Sequence, residues 1–195
     1  MKGNQVVQTF KENQPHQLIS LGAHEDSALE EPEENLHLKN RRVNKLPFKV
    51  LDAPMLEDDF YLNLLDWSQG NVLAVGLERS VYIWSAQTCQ VRKLCEVERD
   101  DQITSVGWST SGSNLAVGTA KGAAKIFDTD KMQHIRDFKN HHSRVSSVAW
   151  NGQIISTGSR DKTIVNNDLR APDKINRLIG HKQEVCGLRW SFDNS

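Results

Sequence analysis

The chain has 195 residues, a formal net charge of −1 and three cysteines. That balance supplies no basic field to hold nucleic acid, and Cys89, Cys95 and Cys186 lack the paired short spacing of a zinc site or a disulfide framework, so they read as free thiols in a reducing compartment. No stretch approaches the ~18 consecutive apolar residues of a membrane span, and Met1–Gln14 has no apolar run fit for a signal peptide, so a soluble intracellular protein is expected.

Residues 1–45 differ from everything after them. They hold no Trp or Tyr and a single Phe, Phe10, and run from an acidic block at Glu25–Glu34 into the basic Lys39-Asn40-Arg41-Arg42. So little apolar surface cannot offset the entropy of ordering, and a disordered N-terminal arm is expected. The basic cluster is short and reads as a solvated flank. The arm also carries Lys11-Glu12-Asn13, a triplet that arises by chance in about one chain of this length in thirty.

From Leu46 the pattern is that of strands. Phe48–Asp52 reads as one, stopped by Pro54. Four runs follow at Tyr61–Trp67, Val72–Gly76, Val81–Trp84 and Val91–Val97. Four more lie at Ile103–Trp108, Leu115–Gly118, Ala124–Phe127 and Ile135–Phe138. A third set occupies Val145–Trp150, Ile154–Thr157, Thr163–Asn167 and Asn176–Ile179, and Glu184–Trp190 opens a fourth. Turn signals recur at the same place in each set, at Ser68-Gln69-Gly70-Asn71, Ser111-Gly112-Ser113-Asn114 and Asn151-Gly152.

Trp67, Trp108, Trp150 and Trp190 each close the first run of a set, spaced 41, 42 and 40 residues apart, and Gly76, Gly118 and Gly158 keep step with them. A period of ~40–45 residues with four strand-like runs is the mark of a WD-repeat β-propeller. Its four-stranded blades cannot bury their faces alone and must stack. The expected fold is all-β: residues 46–195 form the first part of a WD-repeat propeller, with repeats at about 60–99, 100–140 and 141–180 and a partial one at 181–195. This is about three blades plus one strand. Open sheet edges are then expected at both ends, with interfacial apolar residues such as Trp84, Phe127 and Leu188 facing water.

The third repeat carries a polar set common in propeller blades. His141 precedes its first strand, Thr157 ends the second and Asp161 sits in the following turn. A buried imidazole is tolerable where a hydroxyl and a carboxylate satisfy its two nitrogens. A fourth member, usually Trp, is replaced by Asn167, so the network is incomplete. Repeat two has Arg99, Val117 and Lys121 at the matching places and lacks it, whereas His181 opens repeat four as His141 opens repeat three. Each His stands where the repeat needs one, which argues for a structural role over catalysis or metal binding.

Nothing in the chain reads as catalytic machinery. Gly118-Thr119-Ala120-Lys121-Gly122 is a strand-to-strand turn without the glycine spacing or following helix of a phosphate loop, and no nucleophile–base set falls in a recognisable motif. Binding is expected rather than chemistry, with no metal and no cofactor.

Pro47-Phe48-Lys49-Val50-Leu51-Asp52-Ala53-Pro54, followed by Asp58-Asp59-Phe60-Tyr61-Leu62-Asn63-Leu64-Leu65-Asp66-Trp67-Ser68, resembles the start of the propeller in the fizzy and fizzy-related family, co-activators of the anaphase-promoting complex. The resemblance continues through Val81–Ala86, Ala116–Thr119, Gly158–Asp161 and Gln183–Trp190, and the wording is more similar to the fizzy-related branch. It implies a seven-bladed, non-enzymatic substrate receptor that recruits proteins bearing short degrons, cyclins among them, to that ubiquitin ligase in cell-cycle control. Nucleus and cytoplasm are the implied compartments, with neither nucleic acid nor membrane as a partner.

By the same resemblance, Asp52 matches the carboxylate that faces the Arg of a destruction-box degron, with Leu51 beside it. Asp59 and Phe60 match a counter-charge and an apolar wall for the Lys of a Lys-Glu-Asn degron. Lys11-Glu12-Asn13 then becomes a candidate degron of the chain itself. The family's N-terminal docking motif, its C-terminal Ile-Arg tail and the pocket walls from later blades have no counterpart here. Two alternatives stand beside the receptor: a generic WD-repeat scaffold without degron binding, and a truncated, non-functional or decoy product.

Overall fold

The computed structural model describes residues 45–47 and 49–191. The expected arm over 1–45, with Lys11-Glu12-Asn13, therefore lies almost wholly outside the described residues. The chain divides into two compact units, Met1–Asp52 and Ala53–Ser195.

Twelve strands form three separate four-stranded antiparallel sheets, each a meander in sequence order. Blade one is β1 (Leu65–Trp67), β2 (Val72–Leu77), β3 (Ser80–Ser85) and β4 (Val91–Glu96). Blade two is β5 (Ile103–Trp108), β6 (Asn114–Thr119), β7 (Ala124–Asp128) and β8 (Gln133–Phe138). Blade three is β9 (Val145–Asn151), β10 (Ile154–Ser159), β11 (Thr163–Asp168) and β12 (Ala171–Ile179). The WD-repeat propeller architecture read from the sequence is the one observed, in its incomplete form.

The recurring turns have a local cause. Between β1 and β2 the Ser68 hydroxyl accepts from the Val72 amide at 3.1 Å, and Asn71 turns the chain at φ 57°. Between β5 and β6 the Ser109 hydroxyl accepts from the Asn114 amide at 3.1 Å, with Gly112 at φ 76°. Asn and Gly tolerate that left-handed conformation, which explains their recurrence there.

The two periodic series are the contacts between successive blades. Trp108 donates its indole N–H to the Asp66 carbonyl at 3.2 Å and its amide to Asp66 Oδ2 at 2.7 Å; Trp150 donates its indole N–H to the Gly107 carbonyl at 2.9 Å. Each tryptophan thus ties the first strand of its blade to the first strand of the blade before. The glycines mark the closest approach of the same neighbours. A Cβ on Gly76 would lie 2.7 Å from Ile103 Cγ2, one on Gly118 2.6 Å from the Val145 carbonyl oxygen, and one on Gly158 2.5 Å from Val185 Cγ1. Ile103, Val145 and Val185 are the first apolar residues of blade two, blade three and the segment after β12.

Apolar burial follows this stacking. One cluster joins blades one and two, with Leu64, Val81, Ile83, Trp108, Leu115, Val117 and Phe127 among its members. A second joins blades two and three through Ala116, Ala124, Ile126, Phe138 and Ile155. All six residues of β5, flanked by both neighbours, are buried.

Several expectations need correction. Trp84 and Phe127 do not face water: Trp84 is buried and packs edge-on against Trp67 at 5.9 Å, and Phe127 is buried in the blade one–two cluster with its ring edge-on to His134 at 5.3 Å. Both belong to blades whose neighbour is present. Leu188 is half-buried. Glu184–Trp190 is in no strand, because no second strand follows among the described residues to hydrogen-bond with it; the Val185 amide to the Ser159 carbonyl, 3.2 Å, is its main-chain tie to blade three. The run at Tyr61–Trp67 contributes only Leu65–Trp67 to blade one, because Asn63 pairs in parallel with Ser105 of β5 instead. β12 starts at Ala171, five residues earlier than the sequence pattern suggested. Phe48 lies outside the described residues, and Lys49–Asp52 falls in no named strand.

Candidate functional site

The structure brings His141, Thr157 and Asp161 together. His141 Nδ1 lies 2.9 Å from Asp161 Oδ2 and its Nε2 lies 2.8 Å from the Thr157 hydroxyl, with the imidazole almost fully buried. Burial lowers the histidine pKa against the opposing pull of Asp161. The ring is therefore neutral, with its proton on Nδ1 facing the carboxylate and Nε2 accepting from Thr157. Burial raises the pKa of Asp161, but bonds from the Thr163 hydroxyl, the His142 amide and His141 outweigh it and hold the carboxyl well below its usual range. Asn167, standing where Trp is usual, is buried and accepts from Asn140 Nδ2 at 2.5 Å. His141, Thr157 and Asp161 bond to one another and to their neighbours in blade three and so pin a loop to a turn, while the buried Asn167 Nδ2 has no hydrogen-bond partner among the described residues.

Blade two solves the same problem differently. Buried Asp101 accepts from the Gln102 amide at 2.9 Å and the Lys121 amide at 3.0 Å, and the Lys121 ammonium pairs with Asp100 at 2.6 Å. One carboxylate replaces the His–Asp bridge between loop and turn. His181, by contrast, is exposed, with no blade of its own among the described residues to bury it.

Asp59 and Phe60 stand on the lead-in to blade one, and their neighbourhood is larger than the sequence suggested. Asp59 Oδ1 accepts from the Tyr61 amide at 2.9 Å, and its Oδ2 accepts from Arg144 Nη1 at 2.7 Å. Arg144 also grips Glu184 with two bonds, Nε to Oε1 at 2.7 Å and Nη2 to Oε2 at 3.0 Å, while the Ser146 hydroxyl donates to the same carboxylate. The guanidinium lies 5.9 Å from the centre of the Tyr61 ring. Three segments, 59–63, 144–146 and 184–186, thus converge. Asn63 Nδ2 joins them by donating to the Ser146 carbonyl at 2.6 Å and the Cys186 carbonyl at 2.8 Å.

The charges follow from the contacts. The Tyr61 amide and then Arg144 lower the pKa of Asp59. Glu184 is pushed up by burial but brought below its ordinary value by Arg144 and Ser146. Arg144 is raised, chiefly by Glu184. All three are ionised at neutral pH. Phe60, the next residue, has 86% of its surface exposed and sets its ring edge-on to Tyr61 at 5.7 Å. A carboxylate held in one orientation beside an unburied aromatic ring can take a cationic side chain with an aliphatic stem.

Arg144, Glu184, Tyr61 and Asn63 were not singled out by the sequence reading. A signal for two of them exists: Arg144 and Glu184 each stand one residue before the first apolar residue of their repeat, 40 apart and opposite in charge. Leu51 is half-buried and Asp52 exposed, both in the other compact unit. Among the described residues no group of three or more His, Cys, Asp or Glu side chains could hold a metal ion. The three cysteines are free, and burial pushes the Cys95 thiol up to about 11.

Residues 34–193 match the family described as the WDR19 first beta-propeller. The chain is 50% identical over 156 residues to the anaphase-promoting complex subunit cdh1 of Dictyostelium discoideum, covering 78% of this chain and 21% of that protein. It is 50% identical over 155 residues to the protein FIZZY-RELATED 2 of Arabidopsis thaliana, covering 79% and 32%. A chain in the crystal structure of a mitotic checkpoint complex superposes with a TM-score of 0.75 at 42% identity, covering 82% of this chain and 51% of that one. The chain therefore spans about a fifth to a third of the curated relatives it matches.

Proposed function

This chain belongs to the WD-repeat β-propeller proteins, within the fizzy and fizzy-related group, and from that membership we propose that it serves a substrate-recruiting co-activator of the anaphase-promoting complex. In this reading it supplies the part of the receptor that reads the lysine of a Lys-Glu-Asn degron. The supporting observation is the pairing of Asp59 with Phe60. The carboxylate is fixed by Tyr61 and Arg144 with its side chain 28% exposed. Arg144 holds this carboxylate through a single bond, a lone-pair position that an ammonium can take over. Phe60, 86% exposed among the described residues, offers the lysine stem an apolar wall. Asp52, exposed and next to Leu51, is the corresponding carboxylate for a destruction-box arginine.

The test is a fluorescence-anisotropy titration of the intact protein with a labelled Lys-Glu-Asn peptide. Saturable binding is expected, weakened about tenfold or more by Asp59→Asn and by Phe60→Ala, which corresponds to the ~1.4 kcal/mol of one charge-assisted contact. Equal affinity for a peptide with Ala in place of the lysine overturns the reading.

A further inference from the structure

The lysine site proposed above already contains a cation. Arg144 is bonded to Asp59, the carboxylate that a degron lysine would need. We propose that Arg144 is an internal competitor for the cation site at Asp59, and that Glu184 sets the strength of that competition; both are specificity-determining residues of the site although Glu184 never touches the ligand. This inference rests on the assignment of Asp59 to the degron lysine.

The argument is one of unequal attachment. Arg144 holds Glu184 through two parallel bonds, at 2.7 and 3.0 Å, and Asp59 through one, at 2.7 Å. The bidentate pair is the stronger and geometrically specific attachment. Glu184 is itself fixed by Ser146 and is the more enclosed carboxylate, its side chain 8% exposed against 28% for Asp59. An incoming ammonium can therefore take Asp59 while Arg144 stays paired with Glu184 and no charge is left stranded. Two carboxylates sharing one guanidinium leave one negative charge over, which a single cationic side chain completes. The other groups facing the trio are the Tyr61 ring below Arg144 and exposed Arg160, which acts on both carboxylates through its charge and makes no hydrogen bond to either.

Without the charge of Glu184 the balance inverts. Arg144 would have Asp59 as its sole anion, and a lysine could enter only by stranding the guanidinium. Removing Arg144 as well would leave Asp59 unpaired and again open to a cation. The signature is thus a loss that a second loss repairs, which a purely structural role for Glu184 does not produce.

The experiment titrates the intact protein with the Lys-Glu-Asn peptide, comparing wild type, Glu184→Gln, Arg144→Gln/Glu184→Gln and Asp59→Asn, with near-ultraviolet circular dichroism to check the fold. Glu184→Gln is expected to weaken binding about tenfold, and the double variant to return to within about threefold of wild type. Binding by Glu184→Gln equal to wild type, or a double variant as weak as the single, overturns the proposal. Should Glu184→Gln fail to fold, Ser146→Ala, which removes only the hydroxyl that fixes Glu184, is expected to weaken binding about threefold, and an unchanged affinity then overturns it. Asp59→Asn separates the two claims: if it leaves lysine-dependent binding intact, the site assignment itself falls, whereas a loss there with normal Glu184→Gln binding sinks only the competitor.

Discussion

Replacing His141 with Ala tests whether the polar set of blade three holds the fold. The imidazole is almost fully buried and makes two hydrogen bonds, one of them to an ionised carboxylate. The neutral bond to Thr157 contributes about 1 kcal/mol and the charge-assisted one to Asp161 about 1.5–3 kcal/mol. Asp161 keeps the His142 amide at 3.1 Å, and the Thr157 hydroxyl can turn to the Val165 carbonyl at 3.1 Å, so neither partner is wholly stranded. The void left by the ring adds about 1 kcal/mol, for a total of roughly 4 kcal/mol. In a folded unit of this size that lowers Tm by about 10–15 °C. Urea unfolding followed by tryptophan fluorescence measures it, with the denaturant slope expected to stay unchanged.

The same substitution carries a pH signature. The folded-state pKa of His141 lies below its ordinary 6.5 because burial disfavours the charged ring. As pH falls below about 6.5 the unfolded chain takes up a proton that the native state refuses, so stability declines from there toward the folded-state pKa. Asp161, held far lower, stays ionised throughout that window. His141→Ala should remove this part of the slope of stability against pH. A loss smaller than about 1 kcal/mol at pH 7.5, or a variant with the wild-type slope between pH 5 and 6.5, refutes the reasoning.

Two further predictions concern the repeat itself and the arm. Gly118→Ala places a Cβ against the Ser105 hydroxyl and 2.6 Å from the Val145 carbonyl oxygen, a backbone atom that cannot turn aside. It should cost about 2–3 kcal/mol, whereas Gly187→Ala, with nothing within 4 Å, should stay within about 0.5 kcal/mol; chemical denaturation of the two variants compares them. Replacing Lys11, Glu12 and Asn13 by Ala should lengthen the protein's half-life in dividing cells, read by a translation-shutoff chase, and an unchanged half-life ends the idea that they form a degron.

The parts of the fold legible in the sequence are those written once per repeat. Trp108 and Trp150 recur because each indole reaches a carbonyl in the blade before, and Gly76, Gly118 and Gly158 recur because the segment that follows each blade leaves no room for a Cβ. His141, Thr157 and Asp161 are readable for the same reason: a loop, a strand end and a turn of a single blade. Blade two shows the limit. Arg99, Val117 and Lys121 announce a missing network, but nothing local says that Asp101 takes over by accepting the Lys121 amide. The neighbourhood of Asp59 was less legible still. Its partner Arg144 lies 85 residues away, and Glu184 another 40 beyond that. Only the convergence of the lead-in to blade one, the start of β9 and the segment after β12 brings them together, and no local pattern encodes it beyond the matched positions of Arg144 and Glu184 in their repeats. The expected strand at Glu184–Trp190 failed because a ladder needs a partner as well as a pattern.

The most direct test of the account is the affinity of the intact protein for a Lys-Glu-Asn peptide against the same peptide with its lysine replaced by Ala, measured in wild type and in Asp59→Asn. The account predicts that the lysine improves binding about tenfold in wild type and that the advantage largely disappears in Asp59→Asn. The same lysine advantage in both proteins, or none in wild type, would contradict it.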